Sequence, residues 1–269
     1  LGITKGDMVG TFAWNHYQHV ELYYGIPGIG AICHTLNIRL SLPQIEFIIN
    51  HAEDKVIFVD ATLVPLLEKI VNQLETVERF IIINAPKNFS TTLPYFMHYE
   101  DLMDGSSDDF DWPTLNENDA CGMCYTSGTT GLPKGVLYSH RSTYLHAFAI
   151  TSANAANMCA QDIYLLIVPQ FHVMAWGAPY SGLLAGSTMV LPSLHLQPEA
   201  IIRILKDEKV TKANGVPTIW LGVYEAMKKN PPKEKLAIQE YHVGGSALPS
   251  SLIEAFEKDF GIVGVHAWG

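Results

Sequence analysis

The run Tyr125–Gly135 reads YTSGTTGLPKG and gathers the hydroxyls of Thr126, Ser127, Thr129 and Thr130, the glycines Gly128, Gly131 and Gly135, and the ammonium of Lys134. Glycine admits backbone bends that a Cβ forbids and lets the main chain approach a ligand closely. Hydroxyl and N–H donors along such a bend form a concave set that suits phosphate oxygens. In a chain of formal charge −10, a local cradle of donors with a cation points to an anionic ligand. A P-loop would do related chemistry, but its G-x-x-x-x-G-K-[ST] spacing is not met. Counting from Gly128, Pro133 occupies the second glycine position and Gly135 stands where a Mg²⁺-binding hydroxyl would follow the Lys.

Two further stretches carry groups that could work with such a cradle. PQFHVMAWG (Pro169–Gly177) follows an apolar run of strand type, the place where turns of an α/β sheet meet ligands. A lone His among aromatics is more often a packed core residue, so His172 draws its interest from that position. VGGSALP (Val243–Pro249) is a Gly-Gly turn after another strand-like run; as a nucleophile elbow it fails, because G-x-S-x-G would need Gly where Leu248 sits. Cys121 and Cys124 form a C-x-x-C, but no second pair or His spacing completes a zinc site. On a strand, residues three apart face opposite ways, so these read as buried, inert thiols of a reducing compartment.

Composition narrows the classes. With 269 residues the chain has enough length for one large core or two smaller ones, and 48% hydrophobic content is that of a globular protein. Seventeen basic against 27 acidic side chains argue against a nucleic-acid partner. Residues 163–198 contain no Asp, Glu, Lys or Arg, yet Pro169, Pro179 and Pro192 with Gly177, Gly182 and Gly186 cut them into pieces too short for a membrane-spanning helix. The expectation is no transmembrane segment, no signal peptide and a cytoplasmic location. The acidic loop around DGSSDDFDWP reads as a solvated connection, since nothing fixes its carboxylates around a metal.

The elements that must position these groups alternate. Tyr17–His34 is an apolar, helix-like stretch with glycines; Ser41 and Gln44 form a capping box for Leu42–His51. KVIFVD (Lys55–Asp60) and RFIIIN (Arg79–Asn84) are strands flanking a helix through Leu63, Leu66, Leu67, Ile70 and Leu74. Pro86–Asp119 is polar and irregular. Strand, cradle and strand fill Ala120–His140, a helix covers Arg141–Asn157, and strands at Ile163–Pro169, Ser187–Pro192, Val210–Gly215, Tyr241–Gly245 and Ile262–Gly269 alternate with helices over Ala175–Leu184, Pro198–Glu208, Thr218–Lys228 and Leu252–Phe260. That alternation predicts an α/β fold of mixed, largely parallel sheets with flanking helices.

The cradle closely resembles the signature loop of the adenylate-forming superfamily, which comprises acyl-CoA synthetases, luciferases and peptide-synthetase adenylation domains. FHVMAWGAPY, AGSTMVLPS, GVPTIW and VGGSALPSSLIEAFE, with KGVLYSHRS and HTLNIRLS, are similar to medium- and long-chain fatty-acyl-CoA synthetases over nearly the whole chain. The resemblance implies the layered N-terminal AMP-binding domain of those enzymes, with subdomains near 1–118 and 119–269, truncated at both ends and without the C-terminal lid domain. It implies that Thr126, Ser127, Gly128, Thr129, Thr130, Gly131 and Lys134 hold ATP phosphates, with the Ser127 hydroxyl on Mg²⁺. It also implies that Gly244, Gly245, Ser246, Ala247, His266, Ala267, Trp268 and Gly269 line the nucleotide, Trp268 stacking on adenine. His172 and Lys134 become the catalytic candidates; His172, Trp176, Gly215, Val216 and Pro217 become the acyl-binding ones, Trp176 as a tunnel gate. Gln170 and Met174 depart from the Met and Asn common in relatives.

Adenylation needs no protein nucleophile: the substrate carboxylate, ionised near neutral pH, attacks the α-phosphate and expels pyrophosphate. The lack of a Ser-His-Asp or Cys-His set is then expected, and catalysis reduces to positioning and charge stabilisation. The resemblance implies ATP, Mg²⁺ and coenzyme A, a fatty acid as small-molecule partner, and allows a homodimer. A chain ending at Gly269 is expected to be inactive alone. The alternatives are an adenylate-forming enzyme for an aryl acid or luciferase-like chemistry, and a non-catalytic nucleotide-binding module.

Overall fold

The computed structural model describes residues 1–126 and 132–267, in two compact units. The first comprises Leu1–Tyr144 with Gln170–Met174, the second Leu145–Pro169 with Ala175–Gly269. The contact units divide between Tyr144 and Leu145, for a reason of strand pairing. The strands on either side of the cradle, β6 (Ala120–Tyr125) and β7 (Gly135–Ser139), join the first unit's sheet through parallel pairing of β6 with β2 (Ile32–Thr35).

That sheet has the order β5-β4-β3-β1-β2-β6-β7, built also from β1 (Met8–Phe12), β3 (Asp54–Asp60), β4 (Arg79–Ile83) and β5 (Phe96–His98). Every neighbouring pair is parallel except β6 with β7. Helix α1 (Tyr17–Gly28) ends four residues before β2, so the apolar run read as one helix to His34 divides into a helix and a strand. Gly30 at φ +84° makes the turn between them. Helix α2 (Leu42–Ala52) follows the expected box: the Ser41 N–H donates to Gln44 Oε1 at 3.1 Å. Its Ile45, Ile48 and Ile49 are fully buried, each contributing about 1.5–3 kcal/mol of hydrophobic stabilisation. The helix expected through Leu63–Leu74 is only a turn, α3 (Val64–Leu67), followed by a 3₁₀ turn at Val71–Gln73. Its apolar residues still reach the core, but the Glu68 carboxylate accepts from Thr91 and Thr92 instead of facing solvent on a continuous helix. Within the polar stretch Pro86–Asp119, β5 and α4 (Tyr99–Met103) were not anticipated.

Helix α5 (His140–Thr151) leads towards the second unit. There a parallel sheet has the order β12-β11-β10-β8-β9: β8 (Ile163–Leu166), β9 (Thr188–Val190), β10 (Lys212–Gly215), β11 (Glu240–Val243) and β12 (Val263–His266). Its crossovers are α6 (Ala178–Ala185), α7 (Pro198–Asp207), α8 (Pro217–Lys229) and α9 (Ser250–Phe260). Trp220 of α8, wholly buried, lies 4.5 Å from Tyr241 and 6.1 Å from Phe256 between ring centroids. The Asn214 side chain accepts from the N–H groups of Ile167 and Val168 at 2.9 and 3.0 Å, fixing the chain as it leaves β8.

One buried charge organises the opposite ends of these strands. Lys212 Nζ lies 3.2 Å from Asp162 and 3.1 Å from Glu240 and also donates to the carbonyls of Ala156 and Asn157. Burial alone would raise the Asp162 carboxyl, but the Cys159 N–H and the Lys212 ammonium outweigh it and hold the group below its ordinary value. A depressed carboxylate adds stability above its unfolded pKa and loses it as pH falls through its folded one. Lys212→Met leaves that carboxylate buried without its cation, and should cost about 3–5 kcal/mol in urea unfolding at neutral pH. The deficit should shrink on acidification; a loss under about 1 kcal/mol would show the pair to be dispensable.

Candidate functional site

In the first unit the cradle springs from the end of a strand. Tyr125 and Gly135 pair across the β6–β7 ladder, and the Thr126 N–H donates to the Lys134 carbonyl at 3.0 Å, closing the base of the loop. Lys134 is exposed, as expected, and has no ion-pair partner among the described residues. Ser127, Gly128, Thr129, Thr130 and Gly131 lie outside the described residues, as do Trp268 and Gly269.

His172 belongs to the same unit, on a segment held by the chain beyond β1. The Gln170 N–H donates to Asn15 Oδ1 at 2.7 Å, the Tyr23 hydroxyl donates to the Gln170 carbonyl, and Phe171 meets Trp14 edge-on at 6.4 Å. Trp14 is fixed in turn by His19, whose Nδ1 lies 3.0 Å from its carbonyl while Nε2 lies 3.0 Å from the Thr11 hydroxyl. A carbonyl only accepts, so Nδ1 carries the proton; burial pushes this ring down to about 3, keeping it neutral. The His172 ring is at the surface. Partial desolvation first, and the Arg39 cation second, lower its pKa, so it is neutral near pH 7 and able to donate or accept a single hydrogen bond. Arg39 also stands 5.8 Å over the Phe171 ring.

The residues after His172 adopt backbone angles that L-amino acids avoid. Val173, Met174, Ala175 and Trp176 have φ of 47, 47, 50 and 57°, and Gly177 follows at 71°. The helix expected from Ala175 therefore starts only at Ala178, after a left-handed turn. Each non-glycine residue there costs roughly 1–2 kcal/mol, so the surroundings must compensate. In the first unit Met174 is buried with its Sδ 3.7 Å from the Thr35 hydroxyl, and the buried Cys124 sulfur lies 3.6 Å from the Tyr138 hydroxyl. Burial raises the Cys124 thiol above its usual pKa, with the Tyr138 hydroxyl first and the backbone of Val173 and Met174 opposing. Both thiols of the C-x-x-C are free and buried, as the strand reading predicts.

In the second unit the predicted residues collect at the carboxyl ends of β10, β11 and β12. Trp176 lies on the Gly244 backbone so closely that a Cβ there would stand 3.0 Å from its Cη2. The Ala267 N–H donates to the Val243 carbonyl at 2.7 Å, and His266 Nε2 lies 3.3 Å from the Ser246 carbonyl. The turn after β11 and the end of β12 are therefore brought together. Pro217, Thr218 and Leu221 of α8 line a cavity of about 510 Å³ with Ser246, Ala247 and Leu252, so acyl- and nucleotide-assigned residues share one space. Gly215 and Val216 lead into α8, where a Cβ at Gly215 would meet Trp220 Nε1 at 2.8 Å.

The sequence profile of AMP-binding enzymes matches residues 1–269. The chain belongs to the AMP-binding enzyme family. It is 43% identical over 270 residues to a medium-chain-fatty-acid–CoA ligase of Ectopseudomonas oleovorans, covering 100% of this chain and 49% of the relative. It is 44% identical over 271 residues to a 3-methylmercaptopropionyl-CoA ligase of Ruegeria lacuscaerulensis, covering 100% and 50%. Among solved structures, a long-chain-fatty-acid-CoA ligase from Archaeoglobus fulgidus superposes with a TM-score of 0.86 at 21% identity, covering 100% of this chain and 53% of that one, a likeness of fold. The chain of this AMP-binding enzyme spans about half the length of the curated relatives it matches.

Sequence reasoning missed the supports: Asn15, His19, Cys124, and the contacts of Tyr125. The only signal for Cys124 was its place three residues before Ser127 on a strand. Cys124→Ala removes a buried sulfur and its contact with the Tyr138 hydroxyl and should destabilise by about 1–3 kcal/mol, read by thermal or urea unfolding. Cys124→Ser, which keeps an acceptor, should lose less; equal losses would make the site one of packing alone.

Proposed function

We propose that the whole protein is an AMP-forming acid–thiol ligase that activates a fatty acid with ATP to an acyl-adenylate and passes the acyl group to coenzyme A. The observation that carries this reading is the strand-end arrangement of Ser246 and Ala247 with Pro217 around one cavity, in a member of a family whose similar relatives bear the names of acyl-CoA ligases. In this reading Thr126, the glycine-rich segment and Lys134 take the β- and γ-phosphates. His172, held neutral, donates a hydrogen bond to the carboxylate or the α-phosphate as they meet. Trp176 and Gly215 to Pro217 border the acyl chain, and Gly244 to Ala247 with His266 and Ala267 border the adenine and the acyl carboxylate.

The carboxylate oxygen forms its bond to the α-phosphorus as the bridging bond to pyrophosphate breaks. In the second step the thiolate sulfur of coenzyme A bonds to the acyl carbon and AMP leaves. Both steps gain from donors fixed where charge develops; one well-placed donor is worth about 3 kcal/mol. Among the described residues no three His, Cys, Asp or Glu side chains converge on a metal position. Mg²⁺ carried with the nucleotide would neutralise its phosphates, with the Ser127 hydroxyl as the protein's ligand to it. Among the described residues no helix is long and apolar enough to cross a membrane, and a cytoplasmic location fits the supply of ATP and coenzyme A.

A relative that handles 3-methylmercaptopropionate is as similar as one that handles medium-chain fatty acids, which favours a short thioether acid as the second reading. Acid-, ATP- and CoA-dependent AMP release by the whole protein, across octanoate to palmitate and with 3-methylmercaptopropionate, tests both. A fatty acid should give the highest kcat/KM, and Lys134→Ala should lower it about a hundredfold without loss of thermal stability. Preference for the thioether acid would replace the substrate, and no AMP release with any acid would remove the ligase reading.

A further inference from the structure

The residue immediately before the cradle is tied into the sheet more heavily than a strand terminus requires. Tyr125 is buried, and its hydroxyl lies 2.7 Å from Nδ1 of His51, an exposed residue on the last turn of α2. The two rings meet edge-on, with centroids 5.9 Å apart. On its other side the Tyr125 ring lies 5.2 Å from that of His34. His34 is itself fully buried and locked by Asp54, whose carboxylate oxygens stand 2.8 and 3.0 Å from its Nδ1. This hydrogen-bonded pair reaches from β2 to β3 across the intervening β1, over Gly10, where an added Cβ would lie 3.4 Å from Asp54 Cγ.

The ring also reaches across to β7. A Cβ at Gly135 would stand 3.3 Å from Tyr125 Cζ and 3.0 Å from Met123 Sδ, so the partner position is bare and the phenol lies over it. Tyr125 therefore contacts both stems of the loop: its own peptide leads to Thr126, and its ring covers Gly135, which follows Lys134. Thr126 and Lys134 are joined by the backbone hydrogen bond at the base. A rotation of the phenol would disturb both.

We propose that Tyr125, held by the His51 hydrogen bond and the His34 ring, is a positioning residue that sets the geometry of Thr126 and Lys134 for nucleotide phosphates. The inference rests on the reading of that segment as a phosphate cradle. Neither Tyr125 nor His51 need touch the ligand. The effect passes through the backbone, and its size is that of one hydrogen bond, about 0.5–1.5 kcal/mol, or about two- to twelvefold in affinity.

Calorimetric binding of α,β-methylene-ATP to the whole protein tests this without requiring turnover, with AMP release followed in parallel. Tyr125→Phe removes only the hydroxyl, and His51→Ala only its partner; each should weaken nucleotide binding about three- to tenfold while KM for the acid changes less than about twofold. Because both delete one interaction, Tyr125→Phe combined with His51→Ala should be no worse than either alone. His51→Asn, which keeps a polar atom where Nδ1 sits, should restore most of the affinity. Unchanged nucleotide affinity with a lowered melting temperature would overturn the proposal, as would multiplying losses in the double variant or a wild-type protein that binds no ATP analogue. Wild-type protein that binds the analogue but releases no AMP would remove the ligase reading and leave this inference to stand or fall on the variants.

Discussion

Five consecutive residues, Val173 to Gly177, hold left-handed backbone angles, and the side chains around them are arranged as such a turn demands. At roughly 1–2 kcal/mol for each of four non-glycine residues, the turn would not survive on its own. In the first unit Met174 is buried in the space that Gly122 leaves open; in the second, Trp176 lies against the bare backbone of Gly244. The same turn places His172 just before it and Trp176 within it. Gly122 and Gly244 stand where an added Cβ would crowd Met174 and Trp176.

The alternation of strands and helices was readable because buried parallel strands are short β-branched runs, as in KVIFVD and RFIIIN. Helices such as α2, α7 and α9 declare themselves by apolar spacing and caps. The errors arose where local signals compete with tertiary pairing. ICHT follows a helix with no charged residue between, and only its ladder with β1 and β6 makes it a strand. β5 is a three-residue edge strand in a polar stretch, too brief to leave a period. The left-handed turn is invisible in FHVMAWG, since Val and Trp are residues that ordinarily refuse that conformation.

The candidate site divides in the same way. Residues whose type is itself the chemistry, Lys134, His172 and the Gly-Gly turn, could be picked out from their patterns. Residues that act on other residues could not. Asn15 and Gln170 are 155 positions apart, and His51 and Tyr125 are 74 apart. No spacing rule joins them, because the connection exists only once β1, β2 and β6 lie side by side. Pro217 and Ser246 come to one cavity by the equivalent route, through neighbouring strands β10 and β11.

In the proposed function, strand-end turns of this AMP-binding enzyme recognise a nucleotide and an acyl carboxylate as one joined ligand. Titration of the whole protein with a non-hydrolysable acyl-sulfamoyl adenosine, beside AMP and the free acid, tests it most directly. The joined mimic should bind at least about a hundredfold more tightly than either part. A mimic that binds no better than AMP alone would contradict it.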